Sequence, residues 1–175
     1  MTTHSRRLTL VRHAKSSWKH GELADFDRPL KKRGRGDAPR MGRRLAQQGL
    51  CPQLMVSSPA RRALETARLM APELGYPPDR IAIDRRIYAA DADVLRSVIA
   101  GQAEAIAHLM LVGHNPALTD LCNRLTRAGI ANLPSCGVVC VDFAVEGWSA
   151  VGHATGELVL FDYPKSAGQE DREGR

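Results

Sequence analysis

The stretch LTLVRH, residues 8–13, decides how the rest of the chain is interpreted. Leu8 to Val11 form a short run of apolar and β-branched residues, which is typical of a strand buried on both faces of a sheet. Arg12 and His13 follow directly, where that strand would end. We therefore predict a buried strand that delivers two basic side chains to one edge of a sheet.

Beyond this strand, short apolar runs alternate with segments of helical spacing. Further strands are predicted at 54–56, 81–83, 108–112, 138–143 and 158–161, with 148–153 as another candidate, and helices at 30–49, 58–74, 91–101 and 115–129. Ser58 is expected to cap the second helix and Pro59 to open it. Because helices separate the early strands, the pattern predicts an α/β fold, a three-layer α/β/α sandwich with a mainly parallel central sheet that antiparallel late strands complete.

Length and composition fit one domain. The chain has 175 residues, 43% of them hydrophobic, so it can bury a core of its own, and we assign the domain to residues 1–164. Residues 165–175 are polar and lack apolar periodicity, which predicts a disordered tail. The polar start and the absence of an apolar run of roughly 20 residues predict a cytoplasmic protein with no signal peptide and no membrane span. No pattern predicts an oligomeric state.

The formal net charge of +6 comes mostly from arginine. Such a charge suits nucleic acid, an anionic membrane face or a small anionic substrate. Aromatic residues do not alternate with the basic ones, as they would on a surface that binds single-stranded nucleic acid. Many basic residues fall at 31–44 with helical spacing, which is typical of a solvated helix face. This helix-face interpretation weakens the case for nucleic acid as partner, and the charge alone does not choose among the three.

No sequence feature predicts a metal site or a cofactor. The four cysteines, at positions 51, 122, 136 and 140, lack the close pairing of zinc ligands, and we expect all of them to be buried or half-buried free thiols. Clustered carboxylates, His-x-His pairs and the glycine-rich phosphate and dinucleotide motifs are also absent from the sequence.

Three predicted strands end in residues suited to chemistry. The first ends in Arg12 and His13, the second in SSPARR (57–62) and the fourth in GHNP (113–116). Parallel strands bring their carboxyl ends to one edge, where α/β sheets bind ligands. We therefore expect two arginines and two histidines from these segments to meet in one crevice.

Such a crevice suits a phosphoryl group. The guanidinium groups of Arg12 and Arg62 match phosphate oxygens bidentately and stay charged, and the helix N-terminus near Pro59 adds a positive dipole end. The His13 imidazole can attack phosphorus when it is neutral, and adjacent arginine charges disfavour its charged form. Its other ring nitrogen should donate to a backbone carbonyl or an acidic group, which fixes the tautomer.

The motifs LVRH (10–13), SSPARRALETA (57–67) and VGHNP (112–116) resemble the histidine phosphatase superfamily. The phosphoglycerate mutases belong to it, with a glycine in place of Ala14. The shorter SixA-type branch, associated with phosphohistidine phosphatase activity, is the closer likeness, since DRPLKKRG (27–34) also matches it and a large insertion is missing. The resemblance spans about residues 8–161 and implies a phosphoglycerate mutase-like fold.

The resemblance also implies roles for individual residues. His13 would be the nucleophile, Arg12 and Arg62 the phosphate clamps, and His114 a hydrogen-bond donor to the phosphoryl group. The position before ALETA (63–67) identifies Arg62, rather than Arg61, as the family arginine. Lys15 and Ser16 follow the nucleophile and are further candidates for substrate binding, although loop capping explains a serine there equally well.

One family residue has no counterpart. Larger members use a glutamate after the third strand as general acid, but the segment DRRIYAAD (84–91) contains none. Asp84 and Asp91 are the candidate acids, and Asp91 also fits an ordinary helix cap. A phosphoramidate such as phosphohistidine depends less on a protein acid, so this departure favours P–N substrates over sugar phosphates and argues against mutase activity.

The sequence therefore predicts a metal-independent phosphatase that hydrolyses phosphohistidine or small phosphomonoesters through a covalent phosphohistidine enzyme intermediate. The partner expected from this function is a phosphorylated small molecule or a phosphohistidine protein, with no nucleic acid and no membrane. Two alternatives stay open at this point. The first is a non-catalytic phosphate- or phosphoprotein-binding module that uses the same pocket. The second is a nucleic-acid binder that uses the basic residues at 31–44.

Overall fold

A six-stranded sheet forms the centre of the molecule. The computed structural model describes residues 5–165, and residues 166–175 of the predicted tail lie outside that range. The strands are β1 (Arg6–Arg12), β2 (Leu54–Ser57), β3 (Ala82–Ile83), β4 (His108–Gly113), β5 (Val138–Phe143) and β6 (Glu157–Asp162). Their order is β3-β2-β4-β1-β5-β6; β1 to β4 are mutually parallel, β5 pairs antiparallel with β1, and β6 pairs antiparallel with β5. The predicted mainly parallel sheet with antiparallel late strands is confirmed.

Helices cover both faces of this sheet. They are α1 (Lys32–Gln47), α2 (Arg61–Met70), α3 (Ala92–Ala100), α4 (Ala117–Thr126) and α5 (Trp148–Val151), with short 3₁₀ turns between. One core lies under α1 and α2, and a second lies under α3, α4 and α5. This arrangement is the predicted three-layer sandwich. Within residues 5–165 no helix is long and apolar enough to cross a membrane.

Strand β4 shows why the sheet needs helices on both faces. Leu109 and Leu111 belong to one core, while Met110 and Val112 belong to the other, and all four are fully buried. Successive side chains of a strand point to opposite faces, so an uninterrupted apolar run requires apolar cover on both.

The register of the parallel strands places their ends level with one another. Arg12 of β1 pairs with Gly113 of β4, and Ser57 of β2 pairs with Val112. The residues that follow each of these strands, including His13 after β1 and His114 after β4, therefore leave the sheet at the same edge.

The candidate strand at 148–153 is wrong, because Trp148–Val151 forms the short helix α5. Trp148 and Val151, three residues apart, are both buried on one helical face. The indole Nε1 of Trp148 donates to the Ile106 carbonyl oxygen at 2.8 Å, which holds the turn against the chain leading into β4.

Two smaller expectations are also corrected. Helix α2 begins at Arg61 with Ala60 as its N-cap, so Pro59 precedes the helix, and the Ser58 hydroxyl accepts from the Ala60 N–H at 3.2 Å instead of capping a later amide. Cys51 is exposed, whereas the other three cysteines are buried as expected. It lies in the connection before β2, outside both cores.

Gly34 lets α1 approach the loop that follows β1. A Cβ at this position would collide with the carbonyl oxygen of Lys15, two residues after His13. Gly36, in the same helix, has nothing within 4 Å of such a Cβ.

We expect Gly34→Ala to lower the free energy of unfolding by about 1–3 kcal/mol through overpacking, and Gly36→Ala to leave it unchanged or raise it by about 0.5–1 kcal/mol. Urea unfolding of the two variants provides the measurement, and equal stabilities would contradict this account of Gly34.

Candidate active site

His13 is held rigidly at the end of β1. Its backbone N–H donates to the Gly113 carbonyl oxygen at 3.0 Å, and its own carbonyl oxygen accepts from the Cys136 N–H at 3.1 Å. The ring Nδ1 lies 2.8 Å from the Ala14 carbonyl oxygen. A carbonyl oxygen only accepts hydrogen bonds, so Nδ1 must carry the proton in the neutral ring and Nε2 keeps its lone pair. Of the two partners that the sequence left open, a backbone carbonyl or an acidic group, the structure shows the carbonyl.

The environment keeps the His13 ring neutral. Its pKa is lowered to about 3, chiefly by burial and also by the charges of His114, Arg62 and Arg12, while the hydrogen bond to Ala14 acts in the opposite direction. The sequence predicted a neutral ring because of the adjacent arginine charges, but burial is the larger cause. A neutral imidazole with Nε2 unprotonated is the form able to act as a nucleophile.

His114 lies beside His13, with 5.3 Å between the ring centroids. Its Nε2 is 2.7 Å from the Ser58 hydroxyl oxygen, so the loop after β2 orients the ring at the end of β4. The pKa of His114 is lowered to about 4, chiefly by burial and next by the charge of Arg62. Its Nδ1 is buried without a hydrogen-bond partner among residues 5–165.

The side chains of Arg12 and Arg62 reach the same crevice, and each has a hydrogen-bond donor without a protein partner among residues 5–165. One terminal nitrogen of Arg12 donates to the Leu133 carbonyl oxygen at 2.9 Å. Arg62 donates from Nη1 to the backbone carbonyl oxygen of Asp25 at 2.7 Å and from Nη2 to its carboxylate at 3.1 Å. The Nε of each arginine is buried and has no partner within residues 5–165. Both arginines line one pocket, so an anion bound there would satisfy both Nε donors.

The four predicted side chains line one pocket of about 300 Å³. Lys15 and Ser16, the other candidates for substrate binding, also line it. The complete lining is Arg12, His13, Lys15, Ser16, Trp18, Asp25, Arg28, Arg62, His114, Asn115 and Ser135. Arg61 is not among these residues and instead forms a 2.8 Å ion pair with Glu65 on the exposed side of α2.

The two candidate acids are engaged elsewhere. Asp84 accepts from the backbone N–H and the guanidinium of Arg86, and its pKa is lowered chiefly by that side chain. Asp91 accepts from the Val94 N–H at 2.9 Å and caps α3. Neither residue lines the pocket that contains His13. The helix-cap interpretation of Asp91 therefore describes its observed contacts.

The carboxylate that does line the pocket is Asp25, which sequence reasoning missed. It accepts from Arg28 at 3.1 Å, from Arg62 at 3.1 Å and from the Tyr88 hydroxyl at 2.9 Å. Burial raises its pKa, but the Tyr88 hydrogen bond and the two arginines outweigh that effect and lower it. The loop sequence around Asp25 carries no periodicity or motif that would have singled it out.

Arg28 connects two parts of the loop after β1, because it donates hydrogen bonds to both Ser16 and Asp25. Its Nη1 donates to the Ser16 hydroxyl at 2.8 Å, and its guanidinium carbon lies 3.5 Å from the centre of the exposed Trp18 ring. The segment DRPL (27–30) resembles the SixA-type branch, but that resemblance does not predict a role for Arg28. Within residues 5–165, no group of three or more His, Cys, Asp or Glu side chains is arranged to hold a metal ion.

Comparison with known proteins identifies the family. The sequence profile of the histidine phosphatase superfamily (branch 1) matches residues 8–88, which include His13, Arg12 and Arg62. An uncharacterised chloroplastic protein of Arabidopsis thaliana is 32% identical over 155 residues, which are 84% of this chain and 71% of the relative. The chain belongs to the histidine phosphatase superfamily.

Solved structures narrow the assignment within this superfamily. The crystal structure of SixA from Agrobacterium tumefaciens superposes with a TM-score of 0.78 at 27% identity, covering 91% of this chain and 98% of that one. The protein histidine phosphatase SixA in complex with tungstate superposes with a TM-score of 0.77 at 17% identity, covering 92% and 99%, a likeness of fold alone. This member of the histidine phosphatase superfamily is therefore of the SixA type.

Proposed function

We propose that this histidine phosphatase hydrolyses phosphohistidine or small phosphomonoesters without a metal ion, and that His13 carries the phosphoryl group between two half-reactions. The observation that supports this most strongly is the state of His13. Its Nδ1 proton is committed to the Ala14 carbonyl oxygen, which leaves the Nε2 lone pair free in a pocket where two buried arginine Nε groups lack partners among residues 5–165.

In the first half-reaction, the Nε2 lone pair of His13 forms a bond to phosphorus. The bond from phosphorus to the leaving group breaks, and its electron pair departs with the leaving atom. Arg12 and Arg62 neutralise the charge on the transferring phosphoryl oxygens, and His114 donates a hydrogen bond to them. Lys15 and Ser16 line the same pocket, and we assign to them contacts with the phosphoryl group or the leaving group.

In the second half-reaction, water attacks the phosphorylated His13. The water oxygen becomes the fourth oxygen of inorganic phosphate, the electron pair of the P–N bond returns to Nε2, and the released proton goes to solvent or to phosphate. Because Nδ1 still donates to the Ala14 carbonyl oxygen, the ring returns to its starting tautomer. No redox partner or cofactor is required.

The phosphohistidine part of the proposal comes from the leaving group. Asp84 and Asp91 are held by Arg86 and by the α3 cap, and Asp25 is held ionised by three donors. A poor alkoxide leaving group needs a proton from an acid, which is typically worth about 10²–10⁴-fold in rate. A P–N substrate that leaves as neutral imidazole does not need one, so it suits these residues better than a sugar phosphate.

A substrate panel tests the proposed function. We would compare kcat/KM for a phosphohistidine peptide, p-nitrophenyl phosphate, sugar phosphates, phosphoglycerates and nucleotides, with and without a strong chelator. The proposal expects hydrolysis of the phosphohistidine peptide and the aryl phosphate, and no loss of activity with chelator. Loss of activity in chelator would contradict the metal-independent mechanism, and phosphate binding without turnover across the panel would favour a binding module.

The lowered pKa values of His13 and His114 make a prediction about pH. Protonation of His13 removes the nucleophile, so activity is present above its pKa and lost as pH falls through it. With pKa values of about 3 for His13 and about 4 for His114, kcat/KM should hold between pH 7 and 5 instead of falling near the ordinary histidine pKa of about 6.5. The measurement is a pH profile of kcat/KM for p-nitrophenyl phosphate, corrected for the second ionisation of the substrate near about pH 6. An acid limb near pH 6–7 that belongs to the enzyme would contradict the neutral, buried nucleophile.

A further inference from the structure

An acidic side chain lies in a pocket otherwise built for an anion. The charged residues that line it within residues 5–165 are four cations, Arg12, Lys15, Arg28 and Arg62, and one carboxylate, Asp25. A negative side chain beside a phosphoryl dianion is repulsive. If the ligand were only an anion, this position would favour a neutral residue, so the presence of Asp25 needs its own explanation.

Asp25 is partly open to a ligand. Its side chain is 48% exposed, whereas the side chains of its partners Arg28 and Arg62 are 9% and 7% exposed. An ionised carboxylate offers about four acceptor positions, and the side-chain donors of Arg28, Arg62 and Tyr88 occupy three of them. One acceptor position is therefore left on an exposed anion inside the pocket.

Holding Arg62 in place is an incomplete explanation for this carboxylate. The backbone carbonyl oxygen of Asp25 already accepts from Arg62 Nη1 at 2.7 Å, which is shorter than the 3.1 Å contact of the carboxylate with Nη2. A general-acid role also fits poorly, because three donors favour the ionised carboxylate, which has no proton to give. What an ionised carboxylate does well is accept a hydrogen bond from a cation.

The phosphohistidine substrate of the proposed function supplies such a cation. When the ring nitrogen remote from phosphorus is protonated, the substrate carries both a phosphoryl anion and an imidazolium. The P–N bond can then break with its electron pair left on the departing nitrogen, and the product is neutral imidazole. Without that proton the leaving group would be an imidazolide anion, which departs far less readily. A carboxylate next to the ring favours the charged form.

We propose that Asp25 binds the leaving imidazolium of a phosphohistidine substrate by accepting a hydrogen bond from its remote N–H, and thereby makes the pocket selective for P–N over P–O substrates. This inference rests on the proposed function. The Tyr88 hydroxyl that donates to Asp25 belongs to a ring that lies edge-on to His114, with centroids 5.8 Å apart, and Phe26 packs edge-on against Tyr88 at 5.1 Å. Asp25 is thus linked through Tyr88 to the part of the pocket that His114 lines.

The test is the ratio of two kcat/KM values, that for a phosphohistidine peptide divided by that for p-nitrophenyl phosphate. Nitrophenolate leaves without a proton and offers Asp25 no cation. Loss of one hydrogen bond between charged groups, about 2–3 kcal/mol, corresponds to a fall of about 30–150-fold in this ratio for Asp25→Asn. Asp27→Asn is the matched control, since Asp27 lies in the same 3₁₀ turn, is exposed and does not line the pocket. It should leave the ratio as in the unaltered protein.

Every other outcome of this test contradicts either the inference about Asp25 or the proposed function. If Asp25→Asn lowers both kcat/KM values equally, the carboxylate acts through Arg62 and the inference is wrong. If the ratio is unchanged because neither value falls, Asp25 does not contact the leaving group, and the inference is also wrong. Hydrolysis of the aryl phosphate but not of the phosphohistidine peptide by the unaltered protein would overturn the inference and leave the phosphatase mechanism intact. Inactivity on both substrates would overturn the proposed function itself.

Discussion

Replacing His13 with alanine is expected to lower kcat by about 10⁴-fold or more, the size of loss seen when a catalytic nucleophile is removed. The reason is that the Nε2 lone pair of His13 is the group that forms the bond to phosphorus in the proposed mechanism. His114 lies close by, but its Nε2 is engaged with the Ser58 hydroxyl. Steady-state hydrolysis of p-nitrophenyl phosphate and of a phosphohistidine peptide provides the measurement.

His153→Ala is the matched control for that variant. His153 is exposed and does not line the pocket, so its loss should leave turnover and stability nearly unchanged. Phosphate should still bind to His13→Ala, because Arg12 and Arg62 remain, and its binding verifies that the pocket is intact. Turnover within tenfold of the unaltered protein in His13→Ala would rule out this residue as the nucleophile.

Replacing Arg62 with alanine is expected to lower kcat/KM by about 10²–10³-fold, comparable to the loss of one preorganised donor at a developing anion. Arg62 is 6% exposed, and its buried Nε has no partner among residues 5–165, so its charge acts where water screens it little. Arg62→Lys keeps the charge and loses the planar fork, so it should recover only part of the activity. The loss should be similar for aryl phosphate and phosphohistidine peptide, because the phosphoryl group is common to both.

Arg61→Ala provides the neighbouring control. Arg61 is half-exposed and pairs with Glu65 one helical turn away, and such surface pairs contribute about 0–1 kcal/mol. We expect at most about a fivefold change in kcat/KM for this variant, the change that about 1 kcal/mol corresponds to. A larger loss in Arg61→Ala than in Arg62→Ala would contradict the assignment of Arg62 as the phosphate clamp.

The sequence predicted the convergence of the site because parallel strands impose it. Once β1, β2 and β4 are recognised as buried parallel strands, their carboxyl ends must share one edge, and the pairing of Arg12 with Gly113 confirms that geometry. The chemistry of the strand ends could therefore be inferred from local patterns alone. For the His13 Nδ1 the sequence predicted an acceptor but left open whether a carbonyl or an acidic group supplies it, because that depends on the path of the loop after β1.

The loop after β1 could not be predicted in the same way. Its path depends on contacts between distant positions, such as the isolated bridge between Ser16 and Leu30 and the Arg28–Ser16 hydrogen bond. These contacts carry Asp25 into the pocket, although no spacing in the sequence marks it. Asp91 shows the reverse case, in which a residue considered for catalysis forms a local helix cap. Local hydrogen bonds of this kind are available to many aspartates, so sequence position alone does not distinguish the two roles.

The central claim is that His13 itself becomes phosphorylated, and trapping the intermediate tests it most directly. Protein mixed briefly with a ³²P-labelled substrate and quenched in base should carry a label that is stable to base and lost in acid, as expected for a phosphoramidate. Peptide mapping should place that label on residue 13, and His13→Ala should carry none. A label that survives acid, or one that maps to another residue and persists in His13→Ala, would contradict the account.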